Sequence, residues 1–89
     1  MRAVISVTGK DSAGIVAKVS TKCAEYGVNI GDISQSVLDG YFVMIMIVDI
    51  DGLTVEFSKF VDILSELGHK SGLVINTMHE QIFDSMHKI

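Results

Sequence analysis

Asp39-Gly40 stands between two runs of β-prone residues, 29–38 and 41–50. Both central residues of a tight hairpin turn need positive φ, which Asp-Gly adopts at little steric cost. The pair therefore predicts an antiparallel hairpin and commits the chain to a sheet. The second arm, Tyr-Phe-Val-Met-Ile-Met-Ile-Val, does not alternate with polar residues. Such a strand is expected to be buried on both faces and to lie inside the sheet rather than at its edge.

The rest of the chain falls into place around this hairpin. Residues 3–7 read as a strand, with Val4, Ile5 and Val7 branched at Cβ. Thr8-Gly9-Lys10-Asp11-Ser12 reads as a turn, and Ser12 or Asp11 can cap a helix starting near Ala13. On that helix Val16, Val19, Ser20, Cys23 and Ala24 share a face, and Gly27 stands where a left-handed C-cap belongs. Asp51-Gly52 breaks the hairpin's second arm, and Thr54 can cap a second helix. Its apolar stripe is Phe57, Phe60, Val61, Leu64 and Leu67, with Gly68 expected to end it. A fourth strand over 73–78 follows, then a short helix over 80–88 on which Ile82, Phe83, Met86 and Ile89 can share an apolar face.

Strand, helix, strand, strand, helix, strand is the order of an α+β, ferredoxin-like βαββαβ sandwich. Right-handed crossovers put both helices on one sheet face and make the first and third strands central. The other face is then open. A chain of 89 residues is expected to form one domain over 1–89, with its core ending near 78. A domain of this size buries only about 60–65% of its unfolded surface, yet 48% of the residues are apolar and none is proline. A thin core with that much apolar surface predicts burial against a second chain, as a homodimer.

Charge excludes some partners. Seven basic residues face eleven acidic ones, a net of −4, and the basic residues are scattered. Neutralising phosphates or anionic lipid takes clustered positive charge, so neither nucleic acid nor a membrane surface is expected. The longest apolar run, 41–48, is far short of a membrane span. The N-terminal run has neither the charged start nor the cleavage site of a signal peptide. The lone Cys23 excludes an internal disulfide and fits a reducing compartment, so a cytoplasmic location is expected.

Two stretches could carry chemistry. The segment from Thr8 to Val16 joins a strand to a helix start, where free N–H groups attract carboxylates and phosphates. Gly14 would let a ligand or another backbone approach closely. Asp11 either accepts from a ligand amine or caps the helix, and the whole stretch also reads simply as a capped helix with a turn glycine. In Tyr26-Gly27-Val28-Asn29-Ile30, Asn29 offers both a donor and an acceptor, or serves turn chemistry alone. His69, His79 and His87 lack ligand spacing, so no metal or other cofactor is expected. No nucleophile elbow, phosphate loop or dinucleotide fingerprint is present, which argues against an enzyme.

The combination of Gly-Lys-Asp-x-x-Gly-Ile-Val-Ala, Tyr-Gly-Val-Asn-Ile and Asp-Ile-Ser-Gln, at this spacing over residues 1–78, resembles an ACT domain. The pattern Ile-Ser-Gln-x-Val-Leu-x-x-Tyr-Phe from Ile33 to Phe42, with a short C-terminal helix, is similar to stand-alone ACT proteins of the UPF0237 type. The halves of the glycine cleavage repressor and the amino-terminal domain of formyltetrahydrofolate deformylase look more distantly similar. The resemblance implies a regulatory module that binds a small molecule, commonly an amino acid, at a subunit interface. It implies a site lined by Asp11, Ser12, Gly14, Asn29 and Ile30. ACT domains are commonly attached to an enzyme or a transcription factor, and here neither is expected to be attached. A ligand-free protein–protein interaction module acting on a separately encoded enzyme is the alternative.

Overall fold

The hairpin forms as its turn residues dictate. Asp39 and Gly40 take φ of 51° and 84° and join β2 (Asn29–Leu38) to β3 (Tyr41–Asp49). The computed structural model describes residues 1–10 and 12–86. Around the hairpin lie β1 (Arg2–Lys10), α1 (Ile15–Glu25), α2 (Phe57–Ser71), β4 (Leu73–His79) and α3 (Glu80–Met86). The strands form one sheet in the order β2-β3-β1-β4, every neighbouring pair antiparallel. This is the ferredoxin-like βαββαβ sandwich with a C-terminal helix, and β1 and β3 are its central strands.

The core lies between the sheet and the two longer helices. Ala3, Ile5 and Val7 of β1, the even-numbered residues Phe42 to Val48 of β3, and Leu73 and Ile75 of β4 share one face. Against them pack Ile15, Val19 and Cys23 of α1 and Phe60 and Leu64 of α2, all buried. The burial of β3 differs from the expectation drawn from its unbroken apolar run. Its odd-numbered residues face away from the helices, with Val43 and Ile47 half-buried and Ile45 37% exposed. One chain has no second layer to cover that face. Val4 is the exception: it faces the same way yet is 1% exposed, toward the end of β1 that α3 contacts.

Several boundaries also differ from the sequence reading. Thr8, Gly9 and Lys10 continue β1, because ladder pairing with β3 and β4 outweighs their turn propensity. Glu56, not Thr54, is the N-cap of α2, without a side-chain hydrogen bond. The same helix passes through Gly68 and ends at Gly72, with φ 71°. Gly68 serves a different purpose: a Cβ there would lie 2.7 Å from the Leu73 carbonyl oxygen and 2.9 Å from Ile75 Cγ1. It lets α2 approach β4 closely. On α3, Phe83 is half-buried whereas Ile82 and Met86 are 52% and 65% exposed, so the apolar face of that helix is covered only in part. His87, Lys88 and Ile89 lie outside the described residues.

Candidate functional site

The first half of the candidate site is the β1–α1 turn. Ser12, Ala13 and Gly14 are exposed there, and Asp11 lies outside the described residues. The expected Ser12 cap is not formed. Gly14 is itself the N-cap of α1, left-handed at φ 81°, and among the described residues no side chain caps the helix. Its carbonyl accepts from the Lys18 N–H at 2.9 Å. An added Cβ at Gly14 would meet nothing within 4 Å, so backbone conformation rather than crowding selects glycine in a single chain. The first turn of α1 carries no acidic side chain. The partial positive charge of its N-terminus is therefore not offset from within that turn.

The second half is the start of β2. Asn29 is exposed and pairs with Asp49; Ile30 is half-buried and pairs with Val48. The register then slips between Ile30 and Asp32, leaving Gly31 as the extra residue of a β-bulge. This bulge escaped the sequence reading. Its signal was present: an isolated glycine within a strand pattern marks a bulge or a close approach.

The pairing register fixes where the two halves stand. Asp49 lies between Asn29 and Arg2, and Tyr41 lies between Leu38 and Lys10. Asn29 is therefore level with the start of β1, whereas the β1–α1 turn follows its end. Eight residue steps at about 3.3 Å put these levels about 26 Å apart along the sheet. The 11 residues of α1, about 16 Å of helix, carry the chain back between them. Within one chain the structure thus brings Asn29 and Ile30 together and Ser12 and Gly14 together, but holds the two groups at opposite ends of the sheet.

The remaining reactive residues have ordinary surroundings. Burial pushes the Cys23 thiol up to about 11, and Cys23 is fully buried on α1. An apolar site with no cationic neighbour keeps a thiol protonated and unreactive. His79 ends β4 with its ring stacked on Phe57, centroids 4.0 Å apart, and Arg2 forms an ion pair with Glu80 beside it. No group of three or more potential metal ligands occurs among the described residues. Among the described residues no helix is long and apolar enough to cross a membrane.

The motif halves can be set against known proteins. The ACT domain family model matches residues 2–77. A UPF0237 protein of Listeria innocua is 47% identical over 89 residues, covering 100% of both chains. Among solved structures, an ACT domain protein from Streptococcus pneumoniae superposes with a TM-score of 0.82 at 44% identity, covering 94% of each chain. The ligand-free regulatory subunit of aspartate kinase from Thermus thermophilus superposes with a TM-score of 0.67 at 26% identity, covering 85% of this chain and 49% of that one. Strand order, motif spacing and full-length similarity converge: the chain belongs to the ACT domain family, among the UPF0237 proteins.

Proposed function

We propose that this ACT domain is a regulatory binding module that senses an amino acid or a related metabolite held between two paired copies. The observation that carries the reading is the separation of the motif halves to opposite ends of one sheet. A two-fold pairing along the β2 edge would resolve it. Antiparallel pairing sets the Asn29 end of one β2 beside the Leu38 end of the other, and the β1–α1 turn stands at the Leu38 level. Strand β2 is open to such pairing. It is an edge strand of ten residues, exposed on both faces except at Ile30. It contains neither proline nor lysine, the residues that commonly block edge-to-edge association.

In this arrangement the ligand carboxylate meets the N–H groups at the start of α1 in one copy. Its amine meets the Asn29 side-chain oxygen of the other, or Asp11. Ser12 and Ile30 flank these contacts. A ligand that bridges two copies favours the paired state over the separate one, and that difference in affinity is the regulatory signal. The likeness to a regulatory subunit of aspartate kinase supports the same reading.

A thermal-shift screen against the twenty amino acids and common metabolites tests it. A ligand at a hundred times its Kd adds about 2.7 kcal/mol, which moves the midpoint of a domain this small by roughly ten degrees or more. The expected result is a clear shift with one chemical class, accompanied by a rise in the fraction of dimer. Flat curves at millimolar ligand would overturn the sensor. They would favour the ligand-free interaction module, which a pull-down insensitive to metabolites would then identify.

A further inference from the structure

Thr77 Oγ1 and His79 Nδ1 are, among the described residues, the buried side-chain polar atoms that lack a hydrogen-bond partner. They stand two residues apart on the same side of β4, the side that faces α2. Thr77 is 9% exposed. Buried polar atoms in folded proteins nearly always bond to protein, water or ligand, so two neighbouring orphans among the described residues mark a place for a further polar atom. The histidine ring is held in place by its stack on Phe57, with 22° between the planes.

His79 also lines a cavity of about 630 Å³ with Met1, Arg2, Glu80, Gln81 and Ile82. That volume falls within the range of small-molecule sites. The Arg2–Glu80 ion pair belongs to its wall. The cavity sits at the β4 side of the sheet, whereas Asn29 lies on the opposite edge and the β1–α1 turn at the opposite end.

We propose that this corner is a second small-molecule site, independent of the interface site above, for a compact molecule bearing both a carboxylate and an ammonium group. Such a zwitterion can replace the Arg2–Glu80 pair charge for charge, its carboxylate on the guanidinium and its ammonium on Glu80. Arg2 is 59% exposed and Glu80 31%, so both side chains can turn toward a ligand without unpacking the core. A polar atom of the ligand, or a water it holds, then completes the hydrogen bonds of His79, the one of the two orphaned residues that lines the cavity. Neutral imidazole offers one donor and one acceptor nitrogen, and the threonine hydroxyl offers both functions.

Nitrogen-15 NMR of the full chain, titrated with each of the twenty amino acids at millimolar concentration, tests the proposal. The expected result is a saturable shift of the His79 ring nitrogens and of the Arg2 and Gln81 amides with at least one probe. Arg2→Gln and Glu80→Gln should each weaken that binding tenfold or more, while Gly14→Val, which disables the interface site, leaves it unchanged. His79→Phe preserves the ring stack and should abolish the response; if that variant does not fold, the two wall variants decide. The proposal is overturned if no probe moves the His79 ring signals, which would assign the orphaned atoms to buried water. It is equally overturned if Arg2→Gln and Glu80→Gln bind as the parent does.

Discussion

Gly14 and Cys23 show how little of a residue's role its type reveals. At Gly14 the space beyond Cα is open and only the left-handed φ of 81° constrains the residue. Gly14→Ala should therefore cost about 1–2 kcal/mol, the price of an L-residue in that conformation, as measured by urea unfolding. A loss well above that range would mean that the turn is packed against something, such as a second copy. Cys23 is controlled by burial. Its thiol is held at about 11 instead of 9.0. Below pH 9 folded and unfolded chains both keep the proton. Between pH 9 and about 11 only the unfolded chain loses it, so stability should fall by about 1.4 kcal/mol per pH unit across that window. Urea midpoints of the parent and Cys23→Ala between pH 8 and pH 11 check this: the variant should lack that component of the decline.

At the scale of elements, α2 and β3 are the informative cases. The stripe on α2 is buried at Phe60 and Leu64, and Leu64→Ala should cost about 2–5 kcal/mol by the loss of contacts and the cavity left behind. Gly68→Ala is the sharper test. In an exposed helix the exchange would stabilise by about 1 kcal/mol. Here the new methyl would press on Leu73 and Ile75, and the overpacking should make the net effect destabilising, by about 1–2 kcal/mol in urea unfolding. A stabilised variant would show that α2 can shift away from β4 without loss. Strand β3 teaches the converse lesson. Its unbroken apolar run located it in the centre of the sheet but did not guarantee cover on both faces in one chain.

At the scale of the molecule, the proposed pairing of two copies rests on the β2 edge. Val37 is 52% exposed on the edge strand β2. Val37→Lys places charge on that edge, beside the Ile30 end of the second copy's β2 in the proposed two-fold pairing, where a charged edge disfavours association. The variant should sediment as a monomer at concentrations where the parent is dimeric. Its unfolding free energy at concentrations where both are monomeric should change by no more than about 0.5 kcal/mol. An unaltered dimer would move the proposed interface away from β2.

The chain's local sequence determined its elements and their order. Positive φ at Asp39 and Gly40, the helical spacing of Phe60 and Leu64, and the left-handed glycine at 27 act over a few residues, so sequence alone exposes them. The motif residues and the family were legible for the same reason. Tertiary structure decided what depends on partners distant in sequence. Ladder pairing drew Thr8 to Lys10 into β1, and contact with β4 kept Gly68 inside a helix. The register of three strands set Asn29 and Gly14 at opposite ends of the sheet, a separation that no spacing along the chain could reveal. Propensity is a property of neighbours in sequence, whereas burial and the placing of a site are properties of neighbours in space.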